Sequence, residues 1–307
     1  MAAELNNEEG KELTSFFEGG SAHNVDSGFT PPDPETTQFY CDALNDGNIN
    51  MVLNNVKPEL IVLLGFADYG KSTFVGSLYS YLLSKGNVEG YELYDSDTYS
   101  GFERRYYLRN VDNDDTVKSK TLRTEEDDDY LLTLTFYNPS LKEKKQLIIS
   151  DRAGETYRKY VDAKERIQKD ASLPRAQKVI ILLDTTRIKD DWDELRGWFI
   201  QLFSGLKENG KMPKDAEYTL LFNKIDIVNN NIDLKKAYDA NKVEVETFFR
   251  TELGVETLET EEIDSKHIHN NKKFEELVGK LLKKDETAKN EEAKLKKVLD
   301  WVNEKLK

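Results

Sequence analysis

The sequence predicts an α/β fold, a mostly parallel β-sheet with one antiparallel edge hairpin and helices on both faces. Three observations predict it. Short runs rich in Ile, Leu and Val recur from Glu59 onward, and stretches of helical periodicity separate them. Four of the runs, ELIVLLG, QLIISD, KVIILLD and YTLLFN, are near-continuously apolar, as strands are when helices cover both faces of a sheet. A fifth, LLTLTFYN, alternates instead, and only a short Asn-Pro-Ser and Lys-containing segment separates it from QLIISD, so these two read as the antiparallel pair.

Residues 1 to about 55 are rich in Asn, Asp, Glu, Gly and Ser, interrupted by FTPPDPETT, with few apolar positions to bury. Such a segment is expected to be flexible or loosely docked, as a solvated tail or as a recruitment arm whose anchors are Phe16, Phe17, Phe29, Phe39 and Tyr40. The first apolar run leads directly into GFADYGKS, Gly65 to Ser72, which fits G-x-x-x-x-G-K-[ST], and then into the helical pattern STFVGSLYSYLL. Glycines let backbone wrap closely around a polyphosphate while loop and helix N-terminal amides point at its oxygens. Gly65, Asp68, Tyr69, Gly70, Lys71, Ser72 and Thr73 are the expected phosphate-side residues, with Lys71 reaching the β and γ phosphates and the Ser72 hydroxyl on Mg²⁺.

QLIISD ends at Asp151, and DRAGE continues it as D-x-x-G. A carboxylate at a strand end facing the phosphate loop can hold Mg²⁺ through water, and the Gly154 amide can meet a γ-phosphate oxygen. After KVIILLD, Trp192, Leu195, Phe199, Leu202, Phe203 and Leu206 recur at spacings of three and four, with acidic residues before them and Gly210 beyond, marking a sheet-covering helix. YTLLFN runs into NKID, Asn223 to Asp226. Asp226 can accept from the N1–H and 2-amino groups of guanine, whereas adenine would leave the carboxylate unpaired. Lys224 would lay its stem over the base, and Asn223 would tie this loop to the phosphate loop. Phe274, Leu277, Val278, Leu281 and Leu282 make a last core helix, and Leu295, Val298, Leu299, Val302 and Leu306 a C-terminal one that packs on the domain or binds a partner.

In this order the three motifs resemble the Ras-like, translation-factor-related P-loop GTPase superfamily, over about Glu59 to Leu282. The resemblance implies a doubly wound sheet whose antiparallel pair flanks the second switch, with bound GTP or GDP, Mg²⁺, and hydrolysis to GDP and phosphate. It also implies base contacts from Ser265 and Lys266, although DSKH at Asp264 to His267 lacks the Ala of the family's S-A-K motif. Asp151 lies 80 positions after Lys71, more than a minimal member of the superfamily uses, so an insertion is expected around 86–129. Within it, the family's first-switch Thr, which completes the Mg²⁺ shell, falls on Thr124, with Thr121 second. GFERR, the Arg-Thr dipeptide before the edge strand and D-x-x-G-E resemble more narrowly the bacterial double-GTPase group of conflict and phage-defence systems. That narrower resemblance implies a switch acting on partner proteins of a multi-subunit system.

The side chain after D-x-x-G, often a water-positioning Gln in the family, is Glu155. A carboxylate orients water but cannot donate as an amide does, so slow intrinsic turnover is expected, with Glu155, Thr124 and Lys71 as the catalytic set. Asp68 sits where potassium-stimulated relatives carry Asn, giving it a K⁺-holding reading beside a plain solvent-facing one. Arg104, Arg105, Arg123 and Arg152 are either internal arginine fingers or ordinary ion-pair residues. The histidines, His23, His267 and His269, do not make a metal cluster by spacing.

Composition narrows the partners. A net charge of −14, from 44 basic and 58 acidic residues, disfavours duplex nucleic acid and anionic membrane surfaces, while local amides, Lys71 and Mg²⁺ still suit a nucleotide. One cysteine, Cys41, allows no internal disulfide, and no apolar run approaches the roughly 20 residues that span a bilayer, so a cytoplasmic protein is expected. The expected organisation is an acidic arm at 1–55, a GTPase domain at 56–284 with its insertion around 86–129, and a helix at 285–307. A non-catalytic, nucleotide-bound scaffold is the alternative to a switch. An ATP-dependent phosphotransferase is the third reading, against which NKID argues.

Overall fold

In the computed structural model, which describes residues 43–44, 58–110, 129–213, 215–256, 258–267 and 272–282, the first strand, β1 (Pro58–Leu64), leads into α1 (Lys71–Lys85). The segment expected as an insertion supplies β2 (Asn87–Val88), β3 (Tyr91–Asp95) and α2 (Tyr99–Asn110). The hairpin β4 (Asp129–Asn138) and β5 (Glu143–Arg152) follows, then α3 (Gly154–Asp162) and two 3-10 turns at Lys164–Lys169 and Leu173–Arg175. The remainder is β6 (Lys178–Asp184), α4 (Ile188–Glu208), β7 (Glu217–Asn223), α5 (Ile225–Asn229), α6 (Ile232–Leu253), β8 (Glu259–Glu262) and α7 (Lys272–Leu282). All described residues fall within the unit Phe39–Lys307.

One sheet runs in the order β2-β3-β4-β5-β1-β6-β7-β8. β1 pairs in parallel with both β5 and β6, and β7 continues in parallel with β6 and β8. The near-continuous apolar runs sit here because helices cover both faces. Ile61 to Leu64 and every residue of β6 are buried. β4 and β5 are antiparallel over their full length, with Tyr130 opposite Asp151. β3 and β2 add to that side in antiparallel fashion, so the antiparallel edge is wider than the hairpin alone. Inside the segment expected as an arm, Leu44 and Leu131 exchange two backbone hydrogen bonds of 2.8 Å, and Leu44 is buried against Leu131 and Ile148. Apart from Ala43 and Leu44, residues 1–55 lie outside the described residues, as do 111–128 and the expected helix at 285–307.

The helices follow their apolar stripes. All six residues of the α4 stripe are buried, and Phe199 meets Phe249 of α6 at 4.8 Å between ring centroids. Burying one such side chain contributes about 1.5–3 kcal/mol. The α7 stripe is likewise buried. α1 is buried nearly all round because it has neighbours on more than one side. Phe274 of α7 packs on Phe74 and Tyr81, and Phe102 of α2 stacks on Tyr79 at 5.1 Å. This arrangement brings the loops after β1, β5, β7 and β8 to one edge of the sheet, the carboxyl-end crevice where open α/β sheets bind ligands.

Candidate functional site

On the phosphate side, Lys71 opens α1 and is 6% exposed, with Nζ donating to the Gly65 carbonyl at 2.8 Å and the Phe66 carbonyl at 3.1 Å. The loop holds its own ammonium. Burial pulls the Lys71 pKa down to about 8, against the opposing pull of Asp151, Glu155 and Asp68. A polyphosphate brought to this point would raise it again. Gly70 has φ +88°, and a Cβ there would lie 2.3 Å from Asn223 Nδ2, so both backbone conformation and contact require glycine. Asp68 is exposed with φ 63°, Tyr69 is buried with its ring edge-on to Phe66, and the half-buried Thr73 accepts from the Ser77 hydroxyl through its carbonyl.

At the end of β5, Asp151 is fully buried. Its Oδ1 accepts from the Ser72 hydroxyl at 3.1 Å and its Oδ2 from Arg105 Nε at 2.5 Å. Gly154 passes so close to the phosphate loop that a Cβ would stand 2.2 Å from Ala67 N. Any side chain there would push the two loops apart. Glu155 is half-buried in the first turn of α3, where a carboxylate complements the helix dipole. Arg152 is a buried cation held by Asp170 and by Tyr160 Oη. It anchors β5 to the 3-10 turns.

On the base side, Asn223 is 2% exposed and uses both ends of its amide. Nδ2 donates to the Tyr69 carbonyl at 2.8 Å, and Oδ1 accepts from the Ser265 amide at 3.1 Å. One side chain thus clamps the phosphate loop, the end of β7 and the loop after β8. Ser77 of α1 strengthens the junction by donating to the Ser265 carbonyl. Lys224, left-handed at φ 62°, places Nζ 2.6 Å from Asp184 Oδ2 at the end of β6. Asp226 and Asp264 are half-buried and His267 exposed, with one ligand-capable atom of each within 4.8 Å of the others. Asp264 accepts from the Lys266 and His267 amides and bonds His267 Nδ1, which turns the loop, while Lys266 stays exposed.

The structure therefore gathers Gly65 to Thr73, Asp151, Gly154 and Glu155 on one side, and Asn223, Lys224, Asp226, Ser265 and Lys266 on the other. Thr124 and Thr121, with Arg123, lie outside the described residues, as do His23 and His269. Arg104 is exposed on α2, whereas Arg105 is buried against Asp151. Sequence reasoning missed Asp184, which caps the turn after β6 and pairs with Lys224. Its signal was a carboxylate closing an otherwise apolar strand.

The family model described as Double-GTPase 2 matches residues 59–283. A search of curated proteins found no match. Among solved structures, the bacterial selenocysteine-specific elongation factor EF-Sec is similar at 14% identity and a TM-score of 0.36, over 73% of this chain and 28% of that one. The mammalian SRP receptor is similar at 14% identity and a TM-score of 0.36, over 72% of this chain and 99% of that one.

Proposed function

The chain belongs to the Double-GTPase 2 family, and we propose that it binds GTP and GDP at the carboxyl edge of the sheet and works as a Mg²⁺-dependent, slowly hydrolysing switch. The observation that carries this reading is the Asn223 clamp, which ties the lysine-bearing loop after β1 to the end of β7, three residues before Asp226, and to the loop after β8. Lys71 carries charge onto the β and γ phosphates, loop amides hold their oxygens, and Asp226 reads the N1–H and 2-amino edge of guanine. In hydrolysis, water attacks the γ-phosphorus as the bond to the β–γ bridging oxygen breaks, and Glu155 orients that water. Gly154, fixed against Ala67, reports the γ-phosphate through its amide to α3.

Ser72 Oγ and the buried Asp151 carboxylate, 3.1 Å apart beside Lys71, form a hydroxyl–carboxylate pair that suits a hard divalent cation. When bound there, Mg²⁺ would neutralise developing charge on the phosphate oxygens. Thr124 is the proposed third protein ligand, and Asp68, exposed on the loop, the proposed K⁺ contact. The reading extends to a GTPase domain at 56–284, flanked by an arm at 1–55 and a helix at 285–307, acting on partner proteins of a bacterial anti-phage system in the cytoplasm. No helix among the described residues is long and apolar enough to cross a membrane.

Competition binding with GTP, GDP, XDP and ATP tests the base assignment. Wild type should prefer guanine over adenine nucleotides, and Asp226→Asn should move the preference to xanthine by on the order of 100-fold or more. An unchanged preference in that variant would remove Asp226 from base reading. Glu155 in place of Gln favours a second reading, a scaffold that retains its nucleotide. Multiple-turnover phosphate release separates the two, since a scaffold shows none under any cation.

A further inference from the structure

Asp151 is a fully buried carboxylate, and an uncompensated buried charge costs several kcal/mol in order of magnitude. Part of its compensation comes from the insertion, beside that of Lys71. Arg105, in α2, is 7% exposed and puts Nε on Asp151 Oδ2. The same guanidinium donates through Nη1 to the Gly101 carbonyl at 2.8 Å and lies 5.5 Å from the ring centre of Tyr130, the residue opposite Asp151 across the β4–β5 pair. α2 is itself fixed on α1, through the Tyr79–Phe102 stack and a 2.7 Å hydrogen bond from Tyr79 Oη to Glu103. The two oxygens of Asp151 are thereby divided. Oδ2 belongs to the arginine, and Oδ1 faces the Ser72 hydroxyl.

We propose that Arg105 is a positioning residue of the nucleotide site, holding the Asp151 carboxylate so that Oδ1 is presented beside Ser72 to the metal and its waters. The inference rests on the reading above that Ser72 and Asp151 form the Mg²⁺ side. The geometry favours positioning over an arginine finger, because Nε is engaged by the oxygen opposite Ser72 and Nη1 by a backbone carbonyl of its own helix. It gives the insertion a function. A movement of α2 that draws Arg105 away removes a counter-charge from Asp151, frees its Oδ2 and loosens the metal, so α2 is an element through which nucleotide release can be controlled. Partners that orient a metal's carboxylate from behind typically matter by 10–100-fold in metal affinity.

The test is mant-GDP release from the full chain in EDTA and in excess Mg²⁺, compared as the rate in EDTA divided by the rate in Mg²⁺. Mg²⁺ should slow release in wild type, and Arg105→Gln should lower the ratio about 10-fold. Arg105→Lys, which keeps the charge and one donor, should fall between them. Arg104→Gln, which removes an exposed arginine of the same helix and leaves the Tyr79–Glu103 contact in place, should keep the wild-type ratio. If Arg105→Gln speeds release equally in both buffers, its role is only structural and the inference fails. A larger ratio than wild type would make Arg105 a competitor of the metal and overturn it equally. Should Arg105→Gln fail to fold, Arg105→Lys decides alone, an undiminished ratio counting against the proposal. Wild type that does not bind mant-GDP at all would sink the nucleotide reading itself, an outcome distinct from bound nucleotide with an unaltered ratio.

Discussion

The two halves of the candidate site are built on different electrostatic terms. On the phosphate side most charges are interior, with Lys71 at 6% exposure, Asp151 at 0%, Arg105 at 7% and Arg152 at 5% paired with Asp170 at 1%, while Asp68 and Glu155 are more open. On the base side they are half-open, with Asp226 and Asp264 partly buried, Lys266 and His267 exposed, and Glu262 served by Lys242 and Lys273 at the end of β8. Buried charges hold geometry because each is costly to leave unpaired, whereas exposed pairs are screened and replaceable by water. The phosphate side is thus preformed, and the base side borrows its order from the backbone contacts of Asn223. The difference also ranks the mutations.

The largest effect should come from Lys71→Ala. Removing a desolvated charge at the proposed phosphate position should cost about 2–5 kcal/mol of GDP binding, read as a shift in Kd by fluorescence titration. A loss no larger than that of an exposed base-side lysine would erase the contrast between the halves. Next comes Asn223→Ala, which strips the partners of the Tyr69 carbonyl and the Ser265 amide together. Two buried backbone groups left without a bond should cost about 2 kcal/mol or more of stability, seen by urea unfolding, and nucleotide should restore less of it than in wild type. If Asn223→Ala changed binding but not stability, the base side would be ordering itself without the clamp.

Much of the fold was legible because burial on both faces leaves a simple trace. KVIILLD and YTLLFN became interior parallel strands, and the Trp192 to Leu206 stripe became the buried face of α4. Motif order was legible too, since each motif follows a strand and all reach one edge of the sheet. β2 and β3 were not, being two and five residues long and lying at the sheet margin, where YELYD carries as much charge as apolar surface. α6 was also unread, because only Tyr238, Val245, Phe248, Phe249 and Leu253 are buried among its many charged residues. In the site, residue types could be read but not their partners. Arg105 and Arg152 look alike as arginines near motifs, yet tertiary packing sends one to Asp151 and the other to Asp170. Lys224 was assigned to the base plane from its motif, and its ammonium goes to Asp184, which nothing local in sequence connects to it.

The smallest effect sharpens the comparison from the base side. Burial alone would raise the Glu262 pKa, but hydrogen bonds from Lys242, Lys273 and Tyr238 prevail and hold it at about 2, below the ordinary value of 4.5. A carboxyl depressed on folding contributes stability that is complete above about pH 4.5. That contribution is lost as pH falls toward 2, because the unfolded chain takes up the proton first. Glu262→Gln should therefore be less stable than wild type at pH 7, by no more than about 1 kcal/mol because the network is partly exposed. The gap should narrow as pH is lowered below about 4.5 and close toward pH 2, and it should shrink in high salt. Urea unfolding of both proteins across that range measures it. A gap at pH 3 no smaller than at pH 7, or one that ignores salt, would mean that Glu262 acts through packing, and the base side would then share the interior character of the phosphate side.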